Sequence, residues 1–233
     1  MDLSLRHHRH VLTRDKLLDG SLHQMMAIAA PSLRLWTEAE LSGSLEATLA
    51  LRSEAGNGVW LFAYGSLIWN PTIHFVERRA ARVHGWHRAF CLSTRAGRGT
   101  PENPGLMLGL DRGGTCSGCI LRVAESEIRT ELGVLWRREM LAGSYIPRWV
   151  SLRTLEGEPL GRAITFTIDR RRPSYAGTLT EVETIRRLAT AKGALGSAAD
   201  YLFHTRDGLR SLGLRDRTVE RLARRVEAAQ AGA

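Results

Sequence analysis

Cysteine is nearly absent from this 233-residue chain: Cys91, Cys116 and Cys119 form an odd set with no disulfide framework, which suits a reducing compartment. Cys116 and Cys119 have the spacing of a zinc or redox pair, but no second pair accompanies them. In a strand, residues three apart point to opposite faces, so structural thiols and no metal are expected. Long apolar runs are also missing. The longest near the N-terminus, residues 25–31, is too short for a bilayer span or a signal-peptide core, which argues against a membrane protein and for a cytoplasmic one. Aromatic residues make up only 6 % of the chain, and the arginines that supply nearly all the positive side of the net +9 charge are dispersed, not interleaved with rings. No nucleic-acid partner is therefore expected. There is no internal repeat. His7, His8 and His10 read as a solvated cluster near a terminus, not a metal site.

What the chain does contain is a 43 % hydrophobic composition, enough to bury a core in one large domain or a domain with an extension. Residues 1–36 read as a basic extension, partly ordered, with a helix over 13–30 closed by Pro31. Residues 37–233 read as the main domain. Thr37 and Glu40 have capping-box spacing, with Leu41, Leu45 and Leu49 following at helical period. The densest local signal comes next: residues 59–64 favour a buried strand, Gly65-Ser66 breaks it, and Asn70-Pro71 adds a turn. Gly65 permits a positive φ or a close approach to the main chain, and Ser66 adds a hydroxyl. On its own such a junction is an ordinary strand and turn.

Further along, the pattern predicts a strand over 82–93 and a long ordered loop over 94–105. A hairpin of strands 106–111 and 115–123 follows, turning at Gly113-Gly114, then a helix over 126–142 stopped by Gly143. A second hairpin pairs 145–155 with 162–169, and three capped helices begin at Thr180, Ser197 and Asp216. Strands with hairpins, one embedded helix and helices gathered at the end argue for an α+β fold: a small antiparallel or mixed β-barrel flanked by helices.

One residue in the 126–142 helix breaks the pattern. Ile128, Leu132 and Leu135 define its inward stripe, and Glu139 falls on that stripe four residues after Leu135. A carboxylate aimed at a core needs a partner or a purpose. Two explanations stand: an ion pair with Arg138 or another arginine, or a carboxyl whose pKa burial raises so that it acts as general acid or base. Tyr145, just past the helix, and Tyr175, in an irregular stretch, offer hydroxyl-tipped rings that suit either a pocket or the core.

Taken together, Tyr64-Gly65-Ser66-Leu67, Trp69-Asn70-Pro71, Gly85-Trp86-His87-Arg88, the run from Arg98 to Gly105, Arg138-Glu139-Met140, Tyr145 and Asp200-Tyr201-Leu202 resemble the ChaC-like, glutathione-specific γ-glutamylcyclotransferases, in their bacterial form. The resemblance runs over residues 37–222 and rests on the order and spacing of these motifs. It implies a catalytic domain that cleaves glutathione to 5-oxoproline and cysteinylglycine in a helix-flanked barrel, with no metal or cofactor. By the same resemblance, Tyr64, Gly65, Ser66 and Leu67 bind the γ-glutamyl group, Glu139 is the acid/base, and Tyr145 and Tyr175 match pocket tyrosines. Ala63 departs from the glycine usual in the family. His84 and His87 read as strand residues, with no triad required. Two other functions stay beside this one: a cyclotransferase for other γ-glutamyl peptides or amines, and a non-enzymatic regulatory protein linked to ion transport or to a polyanion. The oligomeric state is not legible in the sequence.

Overall fold

In a computed structural model, which describes residues 12–53 and 56–232, five strands close into a mixed barrel in the order β1-β3-β2-β4-β5. The strands are β1 (Val59–Ala63), β2 (Glu77–Thr94), β3 (Gly105–Val123), β4 (Tyr145–Arg153) and β5 (Pro159–Ile168). Neighbours are antiparallel except around β5, which returns to β1 in parallel with Leu61 beside Ile164 and also meets β3 in parallel with Leu110 beside Thr167. The helix-flanked barrel anticipated from the sequence is thus present. The histidine cluster at positions 7, 8 and 10 lies outside the described residues.

The predicted hairpin at Gly113-Gly114 does not exist. β3 is one strand of 19 residues that pairs with β2 from Glu77 opposite Arg122 to Thr94 opposite Gly105. The two glycines have φ of 97° and 72° and stand against Gly85, φ 80°, where the register shifts between His84 and Trp86. Two residues against one make a bulge that bends the long ribbon around the barrel, and the same glycine pair can serve a bulge or a turn. β2 also begins earlier than its apolar pattern indicates, because Glu77–Ala81 carries charges that face solvent or pair across the ribbon, as Arg122 does with Glu77. Cys116 and Cys119 are both buried, free thiols on β3.

Among the described residues seven helices flank the barrel: α1 (Arg14–Leu18), α2 (Ser21–Ala29), α3 (Glu38–Leu49), α4 (Ile128–Glu139), α5 (Glu181–Thr190), α6 (Ala198–Ser211) and α7 (Arg217–Ala231). The capping boxes at Thr37 and Ser197 are formed, and Asp216 accepts from two amides at the start of α7. The expected helix over 13–30 is two helices, split at Asp19-Gly20, where Gly20 adopts φ 77°. α4 lays Leu132, Leu135 and Trp136, all fully buried, against the barrel, and Trp136 meets Phe166 edge-on at 5.1 Å.

The helix α4 also buries a carboxylate that its stripe does not reveal. Glu131 is 1 % exposed, and its oxygens take hydrogen bonds from Arg14 on α1 at 2.5 and 2.8 Å and from the His74 amide at 2.8 Å. Burial alone would raise its pKa, but the Arg14 guanidinium and the His74 amide outweigh burial and hold it below the ordinary 4.5. A lowered carboxylate contributes stability that is present above its unfolded pKa and disappears as pH falls through the folded one. Arg14→Met, which strands a buried charge, is therefore expected to cost about 3 kcal/mol at neutral pH. Urea unfolding reads the loss as a lower midpoint, and the gap between variant and parent should shrink in acid; an unchanged midpoint refutes the coupling.

Candidate active site

A cavity of about 570 Å³ opens beside one end of the barrel. Its walls come from the turn after β1, the C-terminal end of α4, the start of β4, the loop 95–98, α6 and the segment carrying α1 and α2. Such a recess, mostly apolar with a few converging polar groups, is where small ligands bind.

The turn after β1 is built by an abrupt change of backbone. β1 ends at Ala63, and Ser66–Ile68 forms a single 3-10 turn whose ladder begins with the Ile68 amide on the Gly65 carbonyl. The amides of Gly65, Ser66 and Leu67 precede that ladder and are free of it. Gly65 does not use the left-handed region; its φ is −139°. What requires glycine is proximity, since a Cβ here would sit 2.8 Å from the Tyr201 hydroxyl oxygen. Arg88, 8 % exposed, ties the turn down by donating to the Tyr64 carbonyl and, at 2.7 Å, to the Ser117 carbonyl, while pairing with Asp216 at the cap of α7.

Glu139 ends α4 and lines this cavity, its side chain 13 % exposed. Arg138 Nε holds one of its oxygens at 3.0 Å, and among the described residues the other oxygen has no hydrogen-bond donor. Both explanations left open by the sequence therefore apply to one residue: it is paired with Arg138, and burial still raises its pKa above the ordinary carboxylate value, with Arg138 opposing the shift. The same guanidinium reaches across to the β1 turn, donating from Nη2 to Ser66 Oγ at 2.8 Å and from Nη1 to Thr72 Oγ1 at 3.0 Å and to the Asn70 carbonyl.

Tyr64 and Tyr145 both line the cavity, each 8 % exposed. Their hydroxyls donate to barrel carbonyls, Tyr64 to Phe166 at 2.7 Å and Tyr145 to Leu108 at 2.9 Å. Burial, with the nearby Glu139 charge adding to it, pushes both phenols well above 10, so they stay protonated. Each phenol oxygen, having donated, still has acceptor capacity toward the cavity. Tyr175 is placed elsewhere: it is outside the cavity lining, bridged to Leu92, with its hydroxyl donating to Asp111 at 2.9 Å. Of the seven site residues expected from the sequence, the structure brings together Tyr64, Gly65, Ser66, Leu67, Glu139 and Tyr145, and leaves Tyr175 apart.

Two lining residues were given no role in the sequence reading. Tyr201 on α6 is 2 % exposed and abuts Gly65, and burial pushes its phenol up to about 12. Arg98, 9 % exposed, lies over the rings of Tyr201 and Trp69. The signals that could have found them are the long glycine-rich loop for Arg98 and the Asp200-Tyr201-Leu202 motif for Tyr201. The third unforeseen contribution is the N-terminal segment, where Leu22, Met26 and Trp36 form part of the wall. No cluster of metal-binding side chains is found among the described residues.

The barrel with its flanking helices has the fold of the γ-glutamylcyclotransferases. The crystal structure of a γ-glutamyl cyclotransferase specific to glutathione from yeast superposes with a TM-score of 0.70 at 19 % identity, covering 76 % of this chain and 99 % of that one. The pattern of ChaC-like proteins matches residues 59–229. A glutathione-specific γ-glutamylcyclotransferase of Escherichia coli K12 is 41 % identical over 206 residues, 88 % of either chain, and a zebrafish enzyme named glutathione-specific γ-glutamylcyclotransferase 1 is 27 % identical over 66 % of this chain and 80 % of its own. The chain belongs to the ChaC-like family.

The Gly65 contact yields a double-variant test. Gly65→Ala drives its methyl against the Tyr201 hydroxyl, and ligand turnover or binding is expected to fall at least about tenfold, since the turn or the tyrosine must shift. Adding Tyr201→Phe removes the colliding oxygen and should recover much of that loss. If the second substitution makes matters worse by its full individual effect, the contact is not the cause.

Proposed function

We propose that this protein is a γ-glutamylcyclotransferase that cleaves glutathione to 5-oxoproline and cysteinylglycine, with Glu139 as base and then acid. The observation that carries the reading is a carboxyl with a raised pKa facing, across one cavity, a turn whose Gly65, Ser66 and Leu67 amides lie ahead of its hydrogen-bond ladder. The 41 % identity to the E. coli enzyme supports the same substrate.

The γ-glutamyl group brings its own nucleophile, an α-amine placed to close a five-membered ring on the γ-carbonyl. The protein has to hold the folded conformer, and orientation of this kind is worth an effective concentration on the order of 10⁵ M or more. Glu139, with the acceptor oxygens of Tyr64 and Tyr145, suits the α-ammonium. Glu139 takes a proton from that ammonium, the freed amine attacks the carbonyl carbon, and the proton passes to the departing cysteinyl nitrogen as the γ-amide C–N bond breaks; the second proton that the ring nitrogen sheds follows by the same route, so cysteinylglycine leaves as its ammonium. Atoms balance without water: the two products together are isomeric with the substrate. The amides of Gly65, Ser66 and Leu67 suit the glutamyl carboxylate or the oxyanion of the tetrahedral intermediate. Arg138 fixes Glu139 and Ser66 relative to each other and opposes the upward shift that burial imposes on the carboxyl.

Glu139→Gln is expected to reduce 5-oxoproline release by about 10²- to 10⁴-fold while leaving the melting transition cooperative. Turnover near that of the parent would defeat the mechanism. Because the base must be ionised and its pKa is raised, activity should fall on acidification at a pH above the ordinary carboxyl value of 4.5. Arg138→Met, which removes the group opposing that shift, moves the acid limb of the pH–rate profile further up; a limb that moves down excludes Glu139 as the titrating group.

A further inference from the structure

Among the described residues, Arg98 is the one buried cation on the cavity wall that forms no ion pair; the Asp200 charge acts on it only at longer range. The other lining arginines differ: Arg138 pairs with Glu139, Arg34 with Glu40 and Arg172 with Asp169, and Arg95 is exposed. Arg98 donates once, from Nη1 to the Ser197 carbonyl at 2.9 Å, and its guanidinium lies 5.5 Å from the centre of the Tyr201 ring and 5.9 Å from that of Trp69. One carbonyl and two ring faces leave most of its five donors without a protein acceptor. No buried side-chain nitrogen among the described residues lacks a partner, so these donors open onto the cavity, where an arriving anion can take them.

The position is held by the backbone. The loop 95–104 crosses itself at Gly99 and Gly105: a Cβ on Gly99 would lie 2.1 Å from the Gly105 nitrogen, and one on Gly105 would lie 2.1 Å from the Arg98 carbonyl oxygen. The amides of Ala194 and Leu195 bond to the carbonyls of Ala96 and Gly97, pinning the loop to the entry of α6. Arg98 is thus presented by a braced loop, not by a mobile one.

Placement relative to the γ-glutamyl turn says which anion it meets. Gly65 abuts Tyr201, on which Arg98 stacks, while Ser66 is bonded to Arg138, which holds Glu139. Tyr201 therefore lies between the turn and the Arg98 guanidinium, which is near enough to Arg138 to feel its charge. With the α-amine at Glu139 and the glutamyl carboxylate on the turn, the portion of the tripeptide left to extend past Tyr201 is the cysteinylglycine arm, which ends in a carboxylate. We propose that Arg98 binds the glycyl carboxylate of glutathione and so makes the site select the tripeptide over γ-glutamyl amides that lack this charge. The assignment rests on the cyclotransferase reading above. A planar fork matches a carboxylate with two parallel hydrogen bonds, which a lysine cannot reproduce.

The test compares glutathione with its glycyl carboxamide, which keeps the scissile bond and removes only the terminal charge. The parent protein should turn over glutathione with a kcat/KM at least about tenfold higher than the carboxamide. Arg98→Gln should collapse that ratio toward one, and Arg98→Lys should retain part of it. Equal kcat/KM for the two substrates in the parent, or a fall on both by the same factor in Arg98→Gln, overturns the assignment; the second result puts Arg98 on the glutamyl end or on the loop. The comparison in the parent needs no variant, so a poorly folding Arg98→Gln does not remove the decision. Failure of the parent to release 5-oxoproline from either compound refutes the cyclotransferase reading separately. Calorimetric titration with the same two compounds then judges Arg98 alone: tighter binding of glutathione supports it and equal binding overturns it.

Discussion

A single buried guanidinium, that of Arg138, joins the two parts of the site. It sits at the end of α4, yet its donors reach Ser66, Asn70 and Thr72 around the β1 turn as well as the neighbouring Glu139. Burying such a group costs free energy, and here the cost is offset by carbonyl and hydroxyl acceptors and one carboxylate. The carboxylate is thereby kept in a narrow condition: desolvated enough to bind a proton more readily than a surface glutamate, paired enough to give it up. Without the guanidinium this polar link between turn and helix would be lost, and burial would push the Glu139 pKa up unopposed.

Around that junction the rest of the chain acts as bracing. Arg88 connects the Tyr64 carbonyl to Asp216, so α7, more than 100 positions away in sequence, takes part in placing the β1 turn. Arg14 and Glu131 connect α1 to the first turn of α4 in the same manner. In each case a buried or half-buried arginine crosses between elements that the chain order separates. The abundance of arginine noted in the composition has this use at some positions, while at others, such as Arg129 or Arg186, it forms only exposed pairs worth little.

Much of this was legible in the sequence, for identifiable reasons. A carboxylate at helical spacing on an apolar stripe is detectable because a period of 3.6 residues is a strong signal, and Glu139 does line the cavity. Caps at Thr37, Ser197 and Asp216 are local chemistry and were readable as such. What stayed hidden depends on distant partners. Gly113-Gly114 has the same local look in a hairpin as in a bulge, and only the length of β2 beside it decides. Glu131 lies next to the stripe, where a wheel places an ordinary boundary residue, and its burial follows from an arginine 117 positions earlier. Tyr175 could not be told from Tyr201 by composition, since both sit near pocket-forming segments and only the fold turns one toward Asp111 and the other toward Gly65. The N-terminal segment, read as a basic extension, gives no periodic signal that would reveal it as a wall.

That wall has a thermodynamic consequence. Leu22, Met26 and Trp36 face the same cavity as Glu139, and Trp36 is seated against Gly143, where even a methyl group would collide with its ring nitrogen at 2.5 Å. Any occupant of the cavity that touches these side chains is bound by the docked segment and not by the undocked one. Occupancy and docking then reinforce each other by an identical factor, whichever is taken as cause. A segment that contributes no reacting group thus acquires a say in how long the substrate stays, and the substrate in how often the segment is open to a protease.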